Sequence, residues 1–348
     1  MSTTLLNEYT SPLAGTFKNR VVMSAMTRGF ADKDHCATDL MRAYYERRAQ
    51  DGVALILTEG MVIHPSADGY NNVPQICTEA QAESWKPITS ALHAAGSKIY
   101  SQLWHCGRIS HEDYTGGVAP VSASTVQAEG MNRQNNKPYG VPHALTPEEI
   151  KEVYNQYIIA ADLAFKAGFD GVQLHLGHGY LADSFFDTRV NNRTDNYGGS
   201  IENRCRFAIE LTQLFIAKYG AEKVMVRISP SREMSNENFD WPNLEEMIAY
   251  LIPAFDETGL RLLDISCARA DYYKTSGRII RMVRPFWSHF LMGGASLSLE
   301  QAEKEIADGY LNMVTWGRQI LANPDFVSKI KSEKELTALT PDMLSQLV

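Results

Sequence analysis

Residues 146–174 have the sequence TPEEIKEVYNQYIIAADLAFKAGFDGVQL, which predicts one helix followed by one strand. Thr146 stands at the N-cap position, a proline follows it, and the Glu149 carboxylate is spaced to reach back to the cap, so the first amides of the helix have partners. Apolar residues then recur with a period of 3.6 as far as Gly168, which ends the helix. The run Gly171–Leu174 is short and mostly apolar, as expected for a strand buried on both faces.

The same alternation of helix and strand recurs along the chain. Seven further strands are predicted at Arg20–Ser24, Ala54–Thr58, Lys98–Leu103, Lys223–Ile228, Leu262–Ile265, His289–Met292 and Asn312–Thr315. Later helices are predicted to begin at Asn243, at Ser298 and at Asn323-Pro324, with Gly259 and Gly309 closing the first two. Eight strands alternating with helices favour the α/β class and parallel βαβ units that close into a single (β/α)8 TIM barrel.

The 348 residues contain no low-complexity linker and no shift in composition, which predicts one domain over residues 1–348. The interval between the third and fourth strands is too long for one helix and two loops. Residues 106–145 are rich in Gly, Pro, Ser and Asn and are predicted to form an insertion that caps the barrel mouth. Residues 328–348 are predicted to form a short C-terminal tail.

Composition excludes several classes of protein. The chain is 44% hydrophobic and 21% charged, which is ordinary for a globular protein and argues against disorder. Its formal net charge of −8 repels polyanions, so we expect no nucleic-acid partner. No apolar run is long enough to cross a membrane, and the first six residues lack the pattern of a signal peptide. Five scattered cysteines without a C-x-x-C motif predict reduced thiols and a cytoplasmic location.

Polar side chains cluster where the predicted strands end, and this is the face on which TIM-barrel enzymes build their active sites. A purely structural barrel has no reason to place them there. The clusters are Ala25-Met26-Thr27-Arg28, Glu59-Gly60, Gln102 to Arg108, His175 to Tyr180, and Arg227 to Pro230.

The ends of the last two strands predict an anion site. Gly293-Gly294-Ala295-Ser296 follows the seventh strand and allows backbone amides to approach a phosphate. Gly317-Arg318 follows the eighth strand and adds a guanidinium that can bind the same group with two hydrogen bonds. The alternative is a pair of glycine turns beside a surface arginine.

The pair His175 and His178 has three interpretations. A metal site needs a third ligand and a helix to present the pair, and the sequence offers neither. Buried structural histidines are the second interpretation, and donors to a carbonyl, nitro or phenolate oxygen are the third. Residues 177–182 also match the G-x-G-x-x-A dinucleotide motif, but the chain continues into a loop at residues 191–199 where that motif requires a helix and a second strand.

Together these motifs resemble the old yellow enzyme family, FMN-dependent ene-reductases built on a TIM barrel. The resemblance runs in chain order from residue 5 to residue 327. Its motifs are Met26-Thr27-Arg28, Thr58-Glu59-Gly60, Gln102-Leu103-Trp104-His105, His175-x-x-His178-Gly179-Tyr180, the loop Arg193–Arg204, and Gly317-Arg318 with Asn323-Pro324-Asp325.

The resemblance implies a non-covalently bound FMN. The Thr27 hydroxyl would bind the flavin C4 carbonyl and tune its potential, and Arg227 would lie near the N1–C2 carbonyl. Gly60 and Gln102 would contact the pyrimidine edge. The full set of implied cofactor contacts is Ala25, Met26, Thr27, Gly60, Gln102, Arg227, Gly294, Ala295, Gly317 and Arg318, of which the last four would hold the phosphate.

The resemblance also implies the substrate side of the site. His175 and His178 would bind the electron-withdrawing oxygen of the substrate, Tyr180 would protonate its α-carbon, and Trp104 and Tyr70 would line the pocket. NAD(P)H would reduce the flavin and leave, and an α,β-unsaturated carbonyl compound, a nitroalkene or a nitrate ester would then take its place in a ping-pong cycle. The partners implied are small molecules, and the chain would be a monomer or a homodimer.

Four features depart from the family pattern. Ala25 stands where proline is common, Gln173 replaces an acidic residue, Gln75 replaces a glycine, and the tail lacks a tyrosine-bearing segment. These leave the rim of the pocket, the natural substrate and the choice of nicotinamide open. Three rival functions are open to the sequence. A dienoyl-CoA-reductase-like enzyme needs clustered cysteines for an iron–sulfur cluster, and a barrel lyase or aldolase needs a lysine or metal ligands at a strand end. The third rival is a flavin-storage protein.

Overall fold

The structure is a computed structural model that describes residues 4–234, 237–267 and 271–347. The first three residues of the N-terminus and Val348 of the predicted tail therefore lie outside it. Eight parallel strands close into a barrel in which each strand pairs with the next along the chain and the last pairs with the first. They are β1 Val21–Met23, β2 Leu55–Val62, β3 Lys98–Trp104, β4 Gly171–His175, β5 Val224–Ile228, β6 Leu262–Ser266, β7 Phe290–Gly294 and β8 Met313–Trp316. All eight lie on predicted runs, so the predicted TIM barrel is confirmed.

Helices surround the barrel. Those in the described ranges are α1 Asp39–Asp51, α2 Glu79–Ala94, α3 Pro147–Lys166, α4 Leu181–Phe186, α5 Ile201–Tyr219, α6 Leu244–Glu257, α7 Ser276–Val283, α8 Leu299–Ala307, α9 Arg318–Ala322 and α10 Phe326–Lys331. None of them is both long and apolar enough to span a bilayer. Helix α3 has the predicted capping box, in which Glu149 N donates to Thr146 Oγ1 and Thr146 N donates to the Glu149 carboxylate. Gly168 follows its end with a φ of +90°.

One predicted helix cap and one predicted helix start need correction. Helix α6 begins after Asn243 as expected, but Asn243 has a φ of +57° and its side chain accepts a hydrogen bond from Arg204 instead of capping the helix. The sequence Asn323-Pro324 does not start a helix, because the Asn323 side chain donates to the Gln319 and Thr337 carbonyls and accepts from Thr337 N instead of capping the next turn. Asn323 instead ends α9, and α10 begins at Phe326 after Asp325.

The barrel interior is a packed core rather than a pore. Inward-facing side chains such as Leu57, Tyr100 and Met292 form one buried cluster with Phe17 of the N-terminal hairpin. That hairpin pairs Tyr9–Ser11 with Gly15–Phe17, and Lys98 at the start of β3 donates to the Ala14 carbonyl within it. The hairpin thus closes the N-terminal end of the barrel, and the C-terminal end is left for a site.

Two segments extend the loops at that C-terminal end. Residues 106–145 contain two small sheets, one pairing Val121–Ser122 with His143–Ala144 and the other pairing Met131–Asn132 with Lys137–Pro138. This segment contacts the loop after β2 and helix α4, through Ser110 to the Asp68 carbonyl and Ala123 N to Ser184. That the segment caps the mouth, and that the whole chain is one domain, remain predictions. A hairpin of Ser231–Met234 and Glu237–Asp240 follows β5.

Candidate functional site

A cavity of about 860 Å³ opens where the strands end. Its volume lies within the usual range for cofactor and small-molecule sites. Eight of the ten predicted cofactor contacts line it: Ala25, Met26, Thr27, Arg227, Gly294, Ala295, Gly317 and Arg318. Its wall includes the arginines Arg28, Arg227 and Arg318 but no acidic side chain among the described residues, although the chain carries a net charge of −8. The cavity is therefore suited to an anion.

The glycines at one corner of the cavity are required by their surroundings. A Cβ on Gly294 would lie 2.1 Å from the Thr315 carbonyl oxygen, and a Cβ on Gly317 would lie 2.9 Å from the Met26 sulfur. Arg318 beside them is exposed, donates to the Ser296 hydroxyl, and forms no ion pair with a residue in the described ranges. Bare backbone with an unneutralised guanidinium fits a phosphate group such as that of FMN.

The loop after β1 forms a second wall, and a buried carboxylate holds it in place. Arg28 N and Gly29 N both donate to Glu59 Oε2 at 2.9 Å. Burial raises the pKa of Glu59 to about 7. Thr27 between the loop and β1 is exposed, and its hydroxyl has no hydrogen-bond partner in the described part of the chain. It is free to bind a ligand.

The remaining two predicted cofactor contacts, Gly60 and Gln102, do not line this cavity. A Cβ on Gly60 would lie 2.5 Å from the Trp104 ring, so the glycine allows that ring to pack against β2. The Gln102 side chain is buried and donates to Gln173 Oε1 at 2.7 Å. Neither residue is therefore part of the cavity wall.

The predicted substrate residues form one cluster of aromatic and imidazole rings. The Tyr180 and Tyr70 hydroxyls are hydrogen-bonded at 2.8 Å. The Tyr180 ring centroid lies 4.9 Å from that of Trp104 and 5.3 Å from that of His175, and the His175 and His178 centroids are 5.2 Å apart. None of these five lines the 860 Å³ cavity, but Arg227, which does, pairs with His175 in the register of β4 and β5.

The electrostatics of this cluster favour neutral rings. Burial lowers the pKa values of His175 and His178 well below the ordinary value, and the Arg227 charge lowers them further. Burial also raises the pKa of Tyr180 well above 10. At neutral pH the two imidazoles are uncharged, each with one N–H, and the phenol keeps its proton.

Asp183 holds the turn at Gly179-Tyr180, and two side chains distant in the sequence hold Asp183. Asp183 accepts hydrogen bonds from Gly179 N and from Trp241 Nε1, both at 2.6 Å, and from Arg232. His178 has a φ of +62°, and its ring contacts Ser229, which donates to the Ser266 carbonyl. No local pattern points to Arg232 or Trp241, whereas a carboxylate four residues after Gly179 is a weak signal for Asp183.

The C-terminal tail forms part of the cavity rim. Its contributions to the wall are Leu336, Thr337, Ala338, Leu339 and Leu344. One guanidinium nitrogen of Arg28 donates to the carbonyls of Met343, Leu344 and Gln346, at 3.3, 3.2 and 2.6 Å. The sequence does not predict how the rim is built, because these contacts join residues more than 300 positions apart.

Comparisons with known proteins agree with this geometry. The model of the NADH:flavin oxidoreductase / NADH oxidase family matches residues 14–337. The chain is 33% identical over 345 residues to putative 12-oxophytodienoate reductase 11 of Oryza sativa subsp. japonica, covering 94% of this chain and 92% of that protein. It is 35% identical over 319 residues to a probable flavin mononucleotide-dependent alkene reductase of Leishmania infantum, covering 89% and 86%.

A solved structure is similar along its full length. The old yellow enzyme homologue from Zymomonas mobilis matches with a TM-score of 0.89 and 32% identity, covering 99% of both chains. The cavity, the glycine and arginine corner, and these likenesses agree: the chain belongs to the NADH:flavin oxidoreductase / NADH oxidase family, as an FMN-dependent ene-reductase of the old yellow enzyme type.

Proposed function

We propose that this protein uses NADPH or NADH to reduce the activated C=C bond of α,β-unsaturated carbonyl and nitro compounds, with nitrate esters as a further class of substrate. The observation that carries the proposal is the ring cluster beside Arg227, where two neutral imidazoles lie next to a protonated tyrosine. Hydrogen-bond donors and an acid in one cluster suit an electron-poor alkene whose oxygen gains charge as its carbon gains a proton.

The chain has groups for each part of FMN. Gly294, Ala295, Gly317 and Arg318 would hold the phosphate, and Ala25, Met26, Thr27 and Arg227 would contact the ring, with Gly60 and Gln102 at its edge. When bound, FMN accepts a hydride from the nicotinamide and passes it to the alkene. Arg227 provides the positive charge that favours its reduced form.

The substrate oxygen would bind between His175 and His178. Both rings are neutral, so each carries one N–H. His178 would direct its N–H to the substrate once the Ser229 hydroxyl turns from the Ser266 carbonyl to donate to the His178 ring. Their hydrogen bonds draw electron density from the β-carbon and stabilise charge on the oxygen. Tyr180 would then donate its proton to the α-carbon, and Trp104 and Tyr70 would form the pocket wall. The nicotinamide and the alkene would bind in turn to the same place.

The test is an anaerobic reaction of the purified protein loaded with FMN. The bound flavin should show an absorbance band near roughly 450–460 nm, a property of the flavin itself. NADPH or NADH should bleach the band, and 2-cyclohexenone should restore it and be recovered as cyclohexanone. A flavin that is bleached but not reoxidised by enones, nitroalkenes or nitrate esters would contradict the proposal and favour flavin storage.

A further inference from the structure

A buried carboxylate lies beneath Arg227. Asp264 interrupts the apolar residues of β6 and is fully buried. Gln173 Nε2 donates to its Oδ2 at 3.0 Å, and Ser266 Oγ donates to its Oδ1 at 2.5 Å. A charge in such a place is costly unless it is paired and hydrogen-bonded, so its partners define its state.

The partner of opposite charge is Arg227 itself. Its Nε lies 3.8 Å from Asp264 Oδ2 and has no hydrogen-bond partner in the described part of the chain. Its Nη1 donates to the Ser24 hydroxyl at 3.2 Å. Arg227 is therefore held between the loop after β1 and the carboxylate on β6.

The amide of Gln173 fixes the direction of the remaining hydrogen bonds. Its Oε1 accepts from Gln102 Nε2 at 2.7 Å, so its Nε2 is the group that faces Asp264. Burial raises the pKa of Asp264, but two hydrogen-bond donors and the Arg227 charge at 3.8 Å oppose this rise and favour the ionised carboxylate. In this part of the barrel the negative charge is thus on Asp264, one hydrogen bond away from the neutral Gln173.

We infer that Asp264 is a positioning residue that holds Arg227 and partly neutralises its charge, and thereby lowers the reduction potential of the bound flavin. The inference rests on the proposed function. Arg227 favours the reduced form of the flavin, which carries more negative charge, and Asp264 opposes it. Removing the carboxylate charge should therefore make the flavin easier to reduce.

The experiment measures the flavin potential in Asp264→Asn against a reference dye without oxygen. At a fixed potential, the ratio of reduced to oxidised flavin should rise roughly tenfold, the size expected for losing one buried charge several ångströms away. Asparagine keeps the size of the side chain and can still accept from Gln173. Circular dichroism and the FMN dissociation constant report whether the fold and the site are retained.

The control returns the charge to a neighbouring position. In the double variant Gln173→Glu/Asp264→Asn, the hydrogen-bonded pair is kept and the carboxylate moves to β4, so the ratio should return to within about threefold of the wild-type value. Ser266→Ala keeps the charge and removes one donor, and it should change the ratio less than Asp264→Asn does.

An unchanged potential in Asp264→Asn would overturn the inference, and so would a change that the double variant does not reverse, because the effect would then come from packing. Should Asp264→Asn fail to fold, Asp264→Ser removes the same charge and is measured in its place, and an unchanged potential in it would overturn the inference. Failure of the wild-type chain to bind FMN would instead overturn the proposed function.

Discussion

Tyr180 and Tyr70 share one hydrogen bond, and either hydroxyl can be its donor. Burial raises the pKa of both phenols, so both keep their protons at neutral pH. Of the two hydroxyl protons, one forms the hydrogen bond between the two tyrosines, and the other is free to bond a further acceptor. If Tyr70 donates to Tyr180, the Tyr180 proton is the one available to a substrate, and Tyr70 stabilises the phenolate left behind.

Replacing Tyr180 with Phe should separate the two halves of the reaction. Reduction of the flavin by the nicotinamide should be nearly unchanged, because it needs no acid. Reoxidation by 2-cyclohexenone should slow by roughly 10²–10⁴-fold, the usual contribution of a positioned general acid. Stopped-flow absorbance measures both steps. Tyr70→Phe is the matched control and should slow reoxidation less, and an unchanged rate in Tyr180→Phe would show that another group supplies the proton.

Replacing Arg318 with Ala should weaken FMN binding. The variant loses a guanidinium that no residue in the described ranges neutralises, and hydrogen bonds to a charged partner contribute about 1.5–3 kcal/mol each. The dissociation constant should therefore rise by one to two orders of magnitude, measured by quenching of FMN fluorescence on titration with the apoprotein. Arg261→Ala, remote from the cavity wall, is the control. An unchanged dissociation constant in Arg318→Ala would refute the phosphate assignment.

At the scale of elements, the strand ends explain why so much of the site can be predicted. Strands and helices follow local periodicity and caps, and seven of the eight strand ends contribute a motif that is visible in the sequence. The sixth does not, because a single carboxylate in an apolar run is the only signal of Asp264. The hairpin carrying Arg232 and the tail held by Arg28 depend on contacts between distant segments, which leave no local pattern.

The tail is the element whose role is most easily tested. Arg28→Gln should lose donors to the three carbonyls at residues 343, 344 and 346, and the rim of the cavity should loosen. We expect faster proteolysis after residue 340, detected by mass spectrometry, and FMN release several-fold faster than in the wild-type protein. Arg42→Gln, which removes a surface arginine paired with Glu46, is the matched control. Equal proteolysis in both variants would mean that Arg28 does not hold the tail.

At the scale of the whole molecule, charge is distributed unevenly. A chain with a net charge of −8 surrounds one cavity with three arginines and, among the described residues, no carboxylate. The closed barrel makes this possible, because eight strand ends converge on one face and the buried carboxylates of Glu59 and Asp264 do not line the cavity. The same convergence buries titratable groups, so the stability of the fold should depend on pH.

His105 provides the clearest case of that dependence. It is buried after β3, and burial lowers its pKa to about 3. In the unfolded chain this imidazole is protonated as the pH falls below about 6.5, whereas in the folded chain it stays neutral down to about pH 3. The free energy of unfolding is therefore fully retained above pH 6.5 and decreases as the pH falls from 6.5 towards 3. The slope is about 1.4 kcal/mol per pH unit for one proton.

His105→Asn should remove that slope. Asn Oδ1 can accept the hydrogen bond that Gly107 N gives to His105 Nδ1 at 3.1 Å, so the local contact is retained while the titrating group is lost. Urea unfolding at pH 4.5 and 6.5 measures the difference in the free energy of unfolding between the two pH values. That difference should be smaller in the variant by roughly 2–3 kcal/mol over the two pH units. His143→Asn, which replaces an exposed histidine, controls for the loss of a histidine as such. Parallel stability curves for the wild-type protein and His105→Asn would show that the buried imidazole does not resist protonation.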